Sequence, residues 1–136
     1  MAVTHEEARR AQMKAVVEAY FEGIAKQDMS AVPYDDNVLL CSPLASGGLS
    51  TPLLGRQAVL DWFASLWSVL GETEVFEHYF NDDLTVIATR ADIVITNPPS
   101  RLRVTDRFRI SPEGKIIQQE NHYDPKGGPA DLTTAF

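Results

Sequence analysis

Residues Leu84–Asn97 read LTVIATRADIVITN. Val86, Ile87, Thr89, Ile93, Val94, Ile95 and Thr96 are β-branched almost without a break, which is the composition of a central β-strand. Side chains alternate faces along a strand, so residues two apart point the same way. Arg90 and Asp92 therefore share a face with Val86, Ala88 and Val94, inside a run apolar enough to be covered on both sides. Two unlike charges so placed are either a structural ion pair or a catalytic acid with its partner, since a buried charge is tolerated only when paired.

Around this strand the chain keeps an extended period. Glu72–Phe80, Arg101–Ile110 and Lys115–Asp124 are further strand candidates, separated by the turn signals Asn81-Asp82-Asp83, Asn97-Pro98-Pro99-Ser100 and Ser111-Pro112-Glu113-Gly114. Short connections between long strands make antiparallel neighbours, hence a meander. Upstream the period is helical. Thr4 and Glu7 have capping-box spacing, and Met13, Val16, Val17, Tyr20, Phe21 and Ile24 recur at three- and four-residue steps through Lys26. Asn37–Ser42 (NVLLCS) reads as a short buried strand, and 43–54 (PLASGGLSTPLL) as a loop long enough to carry function. A second helix opens at Gly55, carries Ala58, Val59, Trp62, Phe63, Leu66, Trp67 and Leu70 on one stripe, and ends with Gly71 as its cap.

Helices followed by long antiparallel strands make an α+β architecture. The expectation is a curved antiparallel sheet wrapped around the N-terminal helices, a cone with an internal pocket suited to a small apolar ligand. One domain covers 1–136, with a mobile tail at 126–136. With 44% hydrophobic and 23% charged residues the composition is that of a soluble globular protein. A net charge of -7 argues against nucleic acid and anionic membranes as partners. The lone Cys41 leaves no internal disulfide, and the charged N-terminus MAVTHEEARR does not read as a signal peptide, so a cytoplasmic protein is expected. No His, Cys or carboxylate cluster has zinc spacing and no glycine-rich phosphate loop is present, so neither metal nor cofactor is expected.

The order helix, short strand, proline-bearing loop ending in PLLGRQAV, helix, then a meander ending in GKIIQQENHYDP resembles the nuclear transport factor 2-like superfamily over about Met13–Pro125. That fold hosts steroid isomerases, dehydratases, SnoaL-like polyketide cyclases, epoxide hydrolases and non-catalytic binders, so function must be argued from the site. In detail the chain is similar to the limonene epoxide hydrolase branch, whose Arg-x-Asp pair matches Arg90-Ala91-Asp92. The resemblance implies that Asp92, positioned by Arg90, protonates an opening epoxide oxygen. It also implies a second carboxylate on the last strand and a Tyr–Asn pair on the first strand to hold water. Asn121, Leu39 and Cys41 stand at those places. An amide cannot take a proton from water, and Leu and Cys cannot hold one well.

Other residues carry two readings each. His78, on the parity of Phe76 and Phe80, is either a packed residue or the general base. Asn121 shares its face with Ile117, Gln119 and Tyr123, and either orients a substrate oxygen or sits at a wet strand end. Trp62, Phe63 and Tyr20 are expected in the helical lid of the pocket, where packing and ligand contact coincide. The expected function is a cofactor-independent isomerase or cyclase acting by acid/base chemistry on an apolar oxygenated small molecule, of polyketide or terpenoid type. An epoxide hydrolase and a non-catalytic binding domain are the alternatives. On resemblance the chain is expected to be a homodimer paired through the outer sheet face.

Overall fold

The computed structural model describes residues 4–123. The Thr4 side chain accepts a hydrogen bond from the Glu7 N–H at 3.1 Å and so caps α1, His5–Lys26. Met13, Val16, Val17, Tyr20, Phe21 and Ile24 are all buried, as the helical spacing requires. Gln27 then takes a left-handed conformation and closes the helix. Its side-chain amide donates to the Trp67 and Leu70 carbonyls, at 2.6 and 3.2 Å, tying the end of α1 to the start of the sheet.

The remaining elements are β1 (Tyr34–Cys41), β2 (Leu53–Leu54), α2 (Arg56–Ala64), β3 (Leu70–Phe80), β4 (Val86–Thr96), β5 (Pro99–Ile110) and β6 (Ile116–His122). They form one open six-stranded sheet in the order β2-β1-β6-β5-β4-β3. The meander is as expected: β3, β4, β5 and β6 are consecutive antiparallel neighbours. The sheet is mixed, however, because β1 runs parallel to β6. A chain that crosses from β1 through α2 to the far edge and meanders back arrives beside β1 in the same direction. The fold is α+β, a curved sheet wrapped around the helices.

Two boundaries differ from expectation. β1 starts at Tyr34 because that residue already pairs with Ile116. α2 stops at Ala64, and Gly71 lies inside β3 instead of capping the helix. A Cβ on Gly71 would lie 3.1 Å from Thr96 Cγ2, so the glycine serves a close strand approach. The expected mobile tail falls outside the described residues.

Face assignment follows from β5, where Leu102, Val104, Asp106, Phe108 and Ile110 are buried while Arg101, Arg103 and Thr105 are exposed. Across the ladder, Ile87, Thr89, Ala91, Ile93 and Ile95 of β4 are the buried set. This inner face meets α1, and the core lies between them. Irregular pairing between Val75 and Glu77 marks a bulge in β3 that bends the strand. Among the described residues no helix is long and apolar enough to cross a membrane.

Candidate functional site

Asp106 is the centre of the inner face. β5 places it on the same side as Val104 and Phe108, at 1% exposure, on the wall of a small cavity that opens to solvent. The walls are apolar: Ile24 and Tyr20 from α1, Trp62 and Phe63 from α2, then Leu44, Leu66 and Leu70, and Ile93, Leu102 and Val104 from the sheet. The Asp106 Oδ1 atom is buried with no hydrogen-bond partner among the described residues. Burial disfavours the charged carboxylate and pushes the pKa up to about 8, against the smaller opposing effects of the His122 backbone N–H and the Tyr20 hydroxyl. At neutral pH Asp106 is therefore a carboxylic acid, with one buried oxygen left without a partner among the described residues.

Polar neighbours complete the inner end. Tyr20 is wedged edge-on among Phe21, Phe63 and Phe108, with ring centroids 4.8, 5.7 and 5.2 Å away, which fixes its hydroxyl. Burial, with the nearby Asp106 adding to it, holds the Tyr20 pKa well above the ordinary tyrosine value. Asn121 is the cross-strand partner of Asp106, and it too lines the cavity at 4% exposure. Tyr123 shares a 2.9 Å hydrogen bond with Ser42 Oγ, and burial raises its pKa to about 12. Asp106 is thus the strongest acid lining the cavity. Among the described residues no three His, Cys, Asp or Glu side chains come together as metal ligands.

The sequence candidates divide around this cavity. Tyr20, Trp62, Phe63 and Asn121 line it. Arg90 and Asp92 are on the opposite face of β4, so the covering expected on both sides exists only for the inner one. Arg90 Nη1 lies 2.9 Å from Asp92 Oδ1, and the Arg90 guanidinium lies 5.0 Å over the exposed Phe76 ring. Asp92 also pairs with Arg101 at 3.2 Å, and Arg101 with Glu74 at 2.9 Å. Partial burial raises the Asp92 pKa, but hydrogen bonds and charge from Arg90 and Arg101 outweigh it and hold the carboxyl below its ordinary value. This is an ionised carboxylate in a surface network.

His78 faces inward but meets α1 instead of the cavity. Its Nδ1 is 2.8 Å from Thr89 Oγ1 and its Nε2 is 3.7 Å from Glu18. Burial lowers its pKa, with Glu18 partly offsetting this, so the ring is neutral. The parity with Phe76 fails because the β3 bulge puts Phe76 outside. At the end of β1 the inner residues are Leu40 and, one residue past the strand, Ser42, both fully buried. Leu39 and Cys41 lie on the other side, Leu39 at 37% exposure and Cys41 half-buried with its thiol pKa raised by burial and then by Glu120.

Asp106 was missed although β5 carries its signature. RLRVTDRFRI alternates polar and apolar strictly except at Asp106, which takes an apolar position between Val104 and Phe108. A carboxylate on the apolar parity of an amphipathic strand is a buried-acid signal. The apolar run of β4 offers no such contrast between its faces.

No family model and no curated protein sequence matches the chain. Solved structures do. The epoxide hydrolase/cyclase-like enzyme SalBIII, described in pyran ring formation in polyether salinomycin, superposes with a TM-score of 0.72 at 19% identity, covering 91% of this chain and 96% of that one. A steroid delta-isomerase from Pseudomonas aeruginosa gives 0.68 at 18% identity, covering 91% and 88%. A nuclear transport factor 2-like protein from Anabaena variabilis gives 0.71 at 12% identity, covering 91% and 95%. The chain has the nuclear transport factor 2-like fold that its sequence resembles.

Proposed function

We propose that the cavity binds an apolar, oxygenated small molecule of polyketide or terpenoid type, and that Asp106 isomerises or cyclises it by acid/base chemistry without a cofactor. The observation that carries this is the carboxyl of Asp106, buried at an apolar cavity, protonated near neutrality, with Oδ1 unpartnered among the described residues. A carboxylic acid with a pKa near the working pH can give its proton to a substrate oxygen and, as carboxylate, take one back from carbon or from a hydroxyl. Proton relocation and ring closure both need that exchange and consume no water. The role that resemblance gave to Asp92 passes in this reading to Asp106. The structural likeness to a cyclase-like enzyme and a steroid isomerase is in keeping with it. Hydrolysis fits less well, because the last strand offers Asn121, an amide that cannot activate water.

A binding protein without turnover is the second reading. It is favoured by the absence of any other carboxylate, and of any imidazole, among the described lining residues. Assay of cyclic enones and hydroxy-epoxides against two variants separates the readings. Turnover is expected to vanish in Asp106→Asn and to persist in Asp92→Asn. Loss in Asp92→Asn alone would return the chemistry to the outer pair, and tight binding without turnover in the unaltered protein would favour the binder. We propose further that two copies pair through the outer face of the sheet.

A further inference from the structure

Behind Asp106 lies a chain of buried hydrogen bonds that runs in one direction, from Tyr34 through Gln119 to Asn121. Tyr34, the first residue of β1, donates its hydroxyl hydrogen to Gln119 Oε1 at 2.9 Å. Gln119 Nε2 in turn donates to Asn121 Oδ1 at 2.8 Å. All three residues are buried, and Gln119 is closed off completely. A side-chain amide has one accepting and one donating end. With its oxygen held by Tyr34, Gln119 must present nitrogen to Asn121. With its oxygen held by Gln119, Asn121 has only its nitrogen left to offer. No hydrogen bond engages that nitrogen among the described residues, and Asn121 lines the cavity. Asp106 faces Asn121 directly across the β5–β6 ladder, where Cβ atoms lie about 4.5–5.5 Å apart.

We infer that Tyr34 and Gln119 are positioning residues that turn the Asn121 amide nitrogen to the ligand, so that Asp106 and Asn121 together address one acceptor oxygen. This deepens, and rests on, the acid reading of Asp106. It also narrows the ligand class to molecules whose inner end is an oxygen without hydrogen: a ketone, an epoxide or a cyclic ether on an apolar skeleton. An alcohol in the same place can accept from the pair, but its own hydrogen must then be turned to a Tyr20 or Tyr123 hydroxyl oxygen at the cavity wall, a geometric demand that a ketone does not make.

The test uses a matched pair, trans-2-decalone and trans-2-decalol, titrated into the isotope-labelled full chain and followed by NMR at a pH where Asp106 is protonated. The ketone is expected to bind about tenfold more tightly than the alcohol, the size of one hydrogen bond, and to shift the Asn121 side-chain amide signals. In Tyr34→Phe, which removes a single oxygen, and in Gln119→Met, the preference should shrink to about twofold or less, while Asp106 keeps its raised titration midpoint. A merely structural role would weaken both ligands equally and leave their ratio alone. An unchanged ratio in both variants, no preference in the unaltered protein, or no binding of either compound overturns the inference. Failure of the acid reading looks different: the Asp106 carboxyl signal would titrate in the ordinary aspartate range whatever the ligands do.

Discussion

At the scale of single residues, the two aspartates on neighbouring strands make opposite claims on pH. Asp106 has a folded pKa of about 8, and an unfolded aspartate titrates near about 3.9. Below pH 4 both states hold the proton and the folded state bears no charging penalty. Between about 4 and 8 the unfolded chain releases the proton and the folded one keeps it, so stability falls as pH rises, by up to about 1.4 kcal/mol per unit. Above 8 the curve flattens, after a loss on the order of 5 kcal/mol at most. Asp106→Asn should flatten the slope across this window and be the more stable protein at alkaline pH. Urea unfolding at several pH values measures it, and a slope identical to the parent would refute the buried acid. Asp92 has the reverse sign, because its arginine partners hold its pKa low. Its contribution is present above the ordinary aspartate pKa and fades as pH falls through the folded value. Asp92→Asn should cost only about 0.5–1 kcal/mol at neutral pH, as a partly exposed pair does, and leave the titration of Asp106 unmoved. The sequence held both residues, but their weight depends on parity. In β4 apolar residues occupy both faces, so nothing in LTVIATRADIVITN says which face the helices cover. In β5 the contrast is strong enough to read.

Among the elements, α1 matters most, because it closes the concave face and carries Tyr20. Its register is fixed at one end by Gln27 and toward the other by Arg9. The Arg9 guanidinium donates to the carbonyls of Leu84, Ser111 and Ile110, at 3.0, 2.9 and 2.9 Å. These carbonyls belong to the β3–β4 turn and the end of β5, so one side chain latches the helix to two hairpins. Arg9→Met keeps most of the packing and removes every donor, leaving carbonyls that a charged group had satisfied. A loss of about 2–3 kcal/mol is expected in chemical denaturation, with Arg9→Lys recovering only part because one ammonium cannot span the fork. A loss within about 0.5 kcal/mol would show the latch to be ornamental. Gly23 gives a second check on the same helix. Its missing Cβ leaves room for Met29 Sδ at 2.9 Å and the Asp28 carbonyl at 3.0 Å. Gly23→Ala should therefore destabilise, although alanine is about 1 kcal/mol the better helix former. The elements themselves were largely legible, since periodicity and turn residues are local. The parallel β1–β6 pairing and the β3 bulge were not, because neither has a local signature: one joins strands about eighty residues apart, the other answers to the curvature of the finished sheet.

For the molecule as a whole, the open question is what meets the outer face, where the charge distribution departs from the composition. The chain carries a net charge of -7, yet the outer side of β5 bears Arg101, Arg103, Arg107 and Arg109. Two strands away, β3 exposes Glu72, Glu74 and Glu77. Four arginines on one face of a single strand, in two pairs either side of Thr105, repel one another, and only Arg101 and Arg107 of the four have ion-pair partners among the described residues. A twofold axis running along β4, between two copies packed face to face, would lay the acidic β3 of each over the basic β5 of the other. That arrangement is self-complementary, as an isologous interface must be. Under it the exposed Phe76 and Tyr79 become buried at the contact. Arg103→Glu, which breaks no ion pair within the described chain, should then shift the sedimentation profile from dimer to monomer. Raising salt to about 1 M, where the screening length is about 3 Å, should weaken the unaltered dimer in the same direction. If the unaltered protein sediments as a monomer at every concentration, or if Arg103→Glu dimerises undiminished, the outer face is not the contact and its charges serve the single chain alone.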